Sequence, residues 1–484
     1  MKMPEKLPIK IVGGNQYGIY PKISVEKTYN MFVSDGWLVN YIGHQRRTEY
    51  LTNNGRGIFS SVYGKFMLIV IGGGVYKVDS ALNLLNVGAV DSSEGDVYID
   101  ENLSGQICIV DGIDAYIYDY ADTNTVTRQN LPFNPSYVVY HNTYFLFGSS
   151  LNSAEPYQWH AYQINGVDTT SIALVTTLTL QSKPDAALAV VRIPGSGNNV
   201  LVLGRNCGEV WVHVGGTENY RKVSSFNMDN GVVNVATIGY SDSSIFWLGR
   251  NEKGTLTVFE SNGQNSAPIS NDGLNRFLEN VNYPEYSTAF CHKVDGHLIY
   301  HLTFYHQDDN KTIFYDANSQ LFFFASDANL DYYPARRVVS YNNKTYSISL
   351  NDSAIYEIGD EFLTYNDNLD PDVSGYVIPR LRYTNAIRSA DGEPFRMRKL
   401  SFIMEQGVTN YQPGDTEVPR IDIAMTKNGG QSFGTFVNKD LNPSGHYKNT
   451  IEQYNLGYAN EVAFLFRFLG KQRFVVGNAV LELY

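Results

Sequence analysis

Gly64 to Ser80 reads GKFMLIVIGGGVYKVDS: an apolar run, a glycine turn, then a second strand-like run. Two such runs joined by a tight glycine turn make a β-hairpin. The unit returns at Ser104 to Tyr120 (SGQICIVDGIDAYIYDY), Asn198 to Gly215 (NNVLVLGRNCGEVWVHVG), Ser243 to Gly263, Gly296 to Tyr315 and Asn343 to Gly359. A degenerate copy fits Tyr140 to Tyr162. Starts fall roughly every 40 to 55 residues, the period of propeller blades.

Each hairpin has a strand before it and another after it, four per period, which is the blade pattern. In the first, Gly57 to Tyr63 leads, Phe66 to Ile71 and Val75 to Val78 pair, and Leu82 to Val90 closes. The second runs Asp96 to Asp100, Ile107 to Val110, Ala115 to Tyr120 and Thr125 to Leu131. The third and fourth begin at Ser136 to Tyr140 and Ala187 to Ile193. The fifth reads Val232 to Tyr240, Ile245 to Arg250, Thr255 to Glu260 and Ser266 to Ser270; the sixth spans Ser287 to Ser326 and the last Arg337 to Phe362. The count is seven blades, with six as the alternative because the third repeat is irregular. Blades bury their faces only against neighbours, so the ring must close, and the segment around Leu38 to Leu51 is free to supply a closing strand.

One helix is expected after Asn271 or Asp272, with Leu274, Phe277, Leu278 and Val281 on one stripe. At Thr364 to Gly375 (TYNDNLDPDVSG) the repeat stops, and the polar, proline-containing stretch reads as a linker. Beyond it, Val377 to Ile387, Phe395 to Glu405, Arg420 to Thr426, Ser432 to Asn438, Glu461 to Leu469 and Arg473 to Leu483 are spaced as in a small antiparallel sandwich. The expected division is residues 1–50 as an N-terminal segment with the closing strand, 51–365 as an all-β propeller and 366–484 as a C-terminal antiparallel β-sandwich.

Composition agrees with an all-β chain: 13% aromatic, with 36 Tyr and 42 Gly, the mix that twisted sheets and tight turns use. Charged residues are 18% and the net charge is −12, which argues against a surface that grips phosphates along its whole extent. Cys108, Cys207 and Cys291 are odd in number and lie inside apolar strand patterns, so a disulfide framework is not expected and folding in a reducing compartment is. The N-terminus lacks the apolar core of a secretory signal. No run of about 18 apolar residues occurs, so a soluble protein without a membrane anchor is expected.

Cys291, His292, His297, His301 and His306 are the candidate metal cluster, since imidazole and thiolate bind zinc. At ~3.3 Å per residue His297 and His301 stand roughly 13 Å apart on one strand face, too far to share an ion. Asn368, Asp370 and Asp372 have calcium-loop spacing, but Val373 and Pro379 stand where an EF-hand needs Gly and Glu. Thr426, Asn428, Gly430, Ser432 and Phe433 follow the sialidase Asp-box spacing with Asn and Phe substituted, a turn that Gly429 and Gly430 explain. Asp111, Asp114 and Asp119 read as turn and edge residues. No GxSxG, P-loop, HExxH or CxxC occurs, and no catalytic, metal or cofactor-binding residue is assigned.

The strongest basic stretch is Arg380 to Lys399 (RLRYTNAIRSADGEPFRMRK), with Arg380, Arg382, Arg388, Arg396, Arg398 and Lys399 against Asp391 and Glu393. It reads either as a solvated sandwich face or as a docking surface for an acidic partner.

An ordered series of segments resembles the packaged-DNA stabilisation proteins, the tail hub or nozzle proteins of short-tailed bacteriophages. Asn54 to Asp79 (NGRGIFSSVYGKFMLIVIGGGVYKVD) is similar to the family's first blade, with Arg56-Gly57 before the leading strand, and Ile109 to Asp119 (IVDGIDAYIYD) to its second. Leu203-Gly204 through Glu209-Val210-Trp211 resembles a mid-chain element, and Phe246-Trp247-Leu248-Gly249 with Gly254 and Ile269-Ser270 a fifth blade. Asp391-Gly392, Phe395 to Glu405 and Thr426 to Phe433 resemble the end domain. The likeness runs from about Thr28 onward; the departures are a longer third repeat and Ile42 before Gly43 where a proline turn is expected.

The resemblance implies a non-enzymatic virion part located in the tail and assembled in the host cytoplasm, needing no cofactor. It would form a homohexameric ring beneath the portal adaptor, or head-to-tail connector, and meet a tail needle and tailspikes or fibres. Packaged double-stranded DNA would be sealed and later pass through without sequence-specific binding. The alternative from fold alone is a carbohydrate-active or glycan-binding β-propeller.

Overall fold

The computed structural model describes residues 5–17, 25–216, 218–251, 254–389, 392–407 and 417–483. The repeated hairpins build seven antiparallel blades. Their innermost strands follow one another around a ring: Gly55–Ser61, Tyr98–Glu101, Pro135–His141, Ala189–Arg192, a split strand, Ser287–Val294 and Ala335–Tyr341. Ala335–Tyr341 of blade seven lies against Gly55–Ser61 of blade one, which closes the ring.

Six consecutive buried residues, Phe66–Ile71, explain why a blade strand reads as a continuous apolar run. Side chains alternate across a strand, and both faces meet protein here. Phe66, Leu68 and Val70 pack with Ile107, Ile109 and Tyr116 of blade two. Met67, Ile69 and Ile71 pack with Tyr346, Ile348 and Ile355 of blade seven. Each fully buried aliphatic contributes about 1.5–3 kcal/mol, so every blade depends on both neighbours.

Blade five departs from the expected continuous inner strand, Val232 to Tyr240. It is split into Asn230–Val232 and Gly239–Tyr240 by a 3₁₀ turn, Val235–Thr237. Asn234 caps that turn by accepting from the Ala236 N–H, and its amide donates to the carbonyls of Glu285 and Ser287. The short helix Asp272–Leu278 is capped by Asn271, which accepts from Leu274 N. Leu274 and Leu278 join the core shared by blades five and six.

Three strands of blade seven come from its own repeat and the fourth is Gly43–Arg46, antiparallel to Ile355–Gly359 with His44 opposite Ile358. Gly43 is required by space: a Cβ there would lie 2.2 Å from the Phe362 carbonyl oxygen and 2.6 Å from that of Thr364. The polar stretch read as a linker is partly strand. Thr364–Asn366 pairs in parallel with Gly43–Arg46, and Tyr376–Val377 pairs with Thr364–Asn366. The open edge of the closing strand offers unpaired backbone groups, and this pairing satisfies them.

The C-terminal sandwich has two sheets. One orders Met31–Ser34, Trp37–Asn40, Val475–Leu483, Phe395–Met404 and Thr450–Ala459, with Lys6–Ile9 also on Val475–Leu483. The other runs Arg380–Tyr383, Glu461–Leu469, Arg420–Thr426 and Val437–Asp440, and it continues through Val25–Tyr29 to Leu321–Ala325 of blade six. Residues from both ends of the chain share the core: Ile9, Ile11, Met31 and Leu38 with Leu400, Phe402, Phe466 and Leu481. Thr450–Ala459 was not expected because its sequence, TIEQYNLGYA, buries only Ile451, Leu456 and Ala459.

Candidate functional site

The propeller axis is crossed by side chains of the inner strands. Asp96, leading into the blade-two strand, lies 3.0 Å from Arg336 and 3.7 Å from Arg337 of blade seven. The Arg337 guanidinium stands 5.6 Å from the Tyr98 ring centroid and that of Arg336 5.8 Å from Tyr305 of blade six. Tyr98 meets Tyr137 of blade three at 4.8 Å, and Asp100 meets Arg192 of blade four at 3.2 Å. Burial pushes the Tyr98 hydroxyl well above its ordinary range, reinforced by Asp96. Contacts this short between blades two, three, four, six and seven leave no room for a nucleic acid duplex along the axis.

Arg56, Glu209 and Trp247, from three of the segments that carry the resemblance, form structural brackets. Arg56 is 2% exposed and donates to the carbonyls of Gly72, Ser92, Glu94 and Gly95 and to Ser92 Oγ. One guanidinium fork thus holds the turn that leads from blade one into blade two. Glu209 is fully buried; it accepts from Gln181 N, Ser182 N, Ser182 Oγ and Trp211 Nε1 and pairs with Lys222 at 3.1 Å. Burial alone would raise its carboxyl, but the bonds from Ser182, Gln181 and Lys222 hold it below the ordinary value. Trp247 Nε1 donates to the Gly231 carbonyl at 3.2 Å, and Gly249 admits that same carbonyl, since a Cβ would lie 2.4 Å from its oxygen.

The six cations of the basic stretch do not form one surface. Arg380 and Arg382 are fully buried, which removes them from any docking face. Arg382 pairs with Glu26 at 2.5 Å and donates to the carbonyls of Lys10, Ile11 and Gly14, while Arg380 lies 5.7 Å from the Phe474 ring centroid. Residues two apart on a strand share a face, so Arg380 and Arg382 of the strand Arg380–Tyr383 turn inward together. Arg388, Arg396 and Arg398 reach solvent, and Lys399 is partly exposed. Arg388 pairs with Glu461, Lys399 with Glu452 and Glu482, and Arg396 lies 5.7 Å from the Tyr458 ring. Asp391 lies outside the described residues.

The histidine and cysteine cluster is dispersed. Cys291 faces the blade-five side. His292 meets the Tyr41 hydroxyl, His297 pairs with Asp316, His301 stacks on Phe290, and His306 lies tilted against Tyr283. Among the described residues no three His, Cys, Asp or Glu are grouped as a metal site. The Asp-box-like turn satisfies itself: Gly430 N donates to Thr426 Oγ1, Ser432 N to Asn428 Oδ1, and Phe433 packs edge-on against Tyr383. Asp370 accepts from Asp372 N, while Asp111 and Asp119 accept backbone N–H groups of their own turns. Among the described residues no helix is long and apolar enough to cross a membrane.

A cavity of about 470 Å³ was not foreseen from sequence. It opens beside blade seven and is lined by His44, Tyr50, Asp327, Tyr333, Asp352 and Tyr356, together with Tyr365, Asp367 and Tyr376. These residues span more than 300 positions with no common spacing, so only the abundance of tyrosine hinted at such a wall.

Residues 19–361 match a family profile described as bacteriophage P22 Gp10, β-propeller. No curated protein sequence matches the chain. Solved structures similar to it include the WD40 β-propeller domain of Doa1, at 10% identity and TM-score 0.40, covering 66% of this chain and 97% of that one. A streptogramin B lyase aligns at 8% identity and TM-score 0.43, covering 67% and 99%. An inactive virginiamycin B lyase from Staphylococcus aureus aligns at 10% and 0.43, covering 66% and 99%.

Proposed function

The chain belongs to the phage stabilisation family described by the bacteriophage P22 Gp10 β-propeller, and from that premise we propose that it is a tail hub sealing packaged DNA. In this reading it is a non-enzymatic part of a short tail, set below the portal adaptor, and it lines the route of ejection. The observation that supports this arrangement is the filled propeller axis, where Asp96, Arg336, Arg337 and Tyr98 meet. A duplex has no path through one subunit, so a conduit has to be framed by several. Six copies related by rotation, joined through heterologous contacts, give a closed ring around it. The net charge of −12 suits a wall along which DNA phosphates slide without sticking.

The adaptor ring, tail needle and tailspikes or fibres are the proposed partners. Arg388, Arg396, Arg398 and Lys399, the solvent-reaching part of the basic stretch, are the proposed contact for an acidic partner surface, which would have to compete with Glu461, Glu452 and Glu482. The test is genome retention. Particles assembled without this chain are expected to package DNA, lose it on storage, and keep it when purified protein is added before storage. Stable, full particles lacking the chain would overturn the proposal.

A further inference from the structure

The cavity beside blade seven has a consistent chemistry. Its walls are tyrosine: Tyr333, Tyr356 and Tyr365 are buried, while Tyr50 and Tyr376 are 48% and 61% exposed. Asp327, Asp352 and Asp367 line it, and among the described residues no Lys or Arg does. His44, also in the wall, has its Nε2 2.9 Å from Asp367 Oδ1. Asp327 uses Oδ1 for the N–H groups of Asn329 and Asp331. The second oxygens of Asp327 and Asp367 have no hydrogen-bond partner among the described residues. Ser347 lines the same space, is 2% exposed, and its hydroxyl likewise has no partner among the described residues.

We propose that this cavity binds an organic cation, an alkylammonium or guanidinium group, held by Asp327 and Asp367 and flanked by tyrosine faces. Carboxylates in the wall repel anions and attract a cation, and aromatic faces attract it further. The chain itself supplies a precedent at the mouth, where the Arg46 guanidinium lies 4.2 Å from the Tyr50 ring centroid. Two sources carry this chemistry: a Lys or Arg side chain of another polypeptide, and a free polyamine. Cation binding here would be a property of the isolated chain, whatever its place in a tail.

The test is calorimetric titration of the full chain with three probes: Nα-acetylarginine amide, spermidine, and the neutral isostere Nα-acetylcitrulline amide. The cationic probes are expected to bind at millimolar or lower concentration and to weaken with salt. The citrulline compound is expected not to bind. Tighter binding of the arginine compound identifies a side-chain ligand; tighter binding of spermidine identifies a free polyamine. The double variant D327N/D367N, which keeps the turn and His44 acceptors, is expected to bind at least about tenfold more weakly with an unchanged unfolding temperature. Equal binding of the citrulline compound, undiminished affinity in the double variant, or no heat with either cation would overturn the assignment. If the double variant fails to fold, S347A, expected to weaken binding and retain the fold, replaces it.

Discussion

Glu26 and Arg382 form a buried ion pair, 2.5 Å from Oε2 to Nη2, across 356 residues of sequence. Arg382 further donates to the carbonyls of Lys10, Ile11 and Gly14, so one guanidinium fastens the N-terminal segment to the sandwich strand Arg380–Tyr383. Burial lowers its pKa, opposed by Glu26. Removing one member of a buried pair leaves the other charge uncompensated, which costs about 3–5 kcal/mol. Arg382→Met is therefore expected to lower the denaturant midpoint sharply, and Glu26→Leu/Arg382→Met to recover part of the loss. A double-mutant cycle by chemical unfolding checks both.

Glu209 collects the N–H groups of Gln181, Ser182 and Trp211 while pairing with Lys222. Glu209→Gln keeps the shape but loses the charge, and one amide oxygen cannot serve every donor. The expected cost is about 1–3 kcal/mol. Trp211 emission should shift to the red as blade four loosens; unchanged emission and midpoint would contradict the bracket role.

The fourth strand of blade seven rests on Gly43. Adding a methyl group forces the closing strand away from the carbonyls of Phe362 and Thr364, so Gly43→Ala is expected to destabilise by more than a surface change, on the order of 2 kcal/mol. Hydrogen exchange should rise first in Ile355–Gly359, its ladder partner.

Acid should destabilise the fold through its buried histidines. Burial lowers His141 and His160 to about 4 and His292 to about 3, against an unfolded value near 6.5. In that interval the unfolded chain binds more protons, so stability rises with pH. It is complete above about 6.5 and is lost as pH falls through about 4, and for His292 toward 3, by on the order of 3 kcal/mol per histidine. His301 is also lowered by burial, and both its ring nitrogens lack a partner among the described residues. His301→Phe, between Phe290 and Phe314, should match or exceed the parent stability at pH 7 and flatten the acid slope.

The blades were legible because each hairpin runs GKFMLIVIGGG-like from apolar strand to glycine turn, and periodicity survives irregular members. What local pattern could not carry was the partnership of distant segments. Nothing within Val25–Tyr29 says that it bridges Phe324 of blade six and Leu381 of the sandwich. Nor does RLRY say that Arg380 and Arg382 face inward, since the alternation of a strand fixes which residues share a face but not which face is buried. The cavity escaped for the same reason: His44, Asp327, Asp352 and Tyr376 meet only after the ring closes.

A six-membered hub, as proposed, frames the DNA path between subunits, and cryo-electron microscopy of the parent particle is the measurement that decides it. Six copies are expected in the tail below the portal adaptor, each with its propeller axis filled by Asp96, Tyr98, Arg336 and Arg337, and with DNA density on the shared six-fold axis. Absence of the chain from the tail, a different copy number, or DNA threading a single propeller would contradict it.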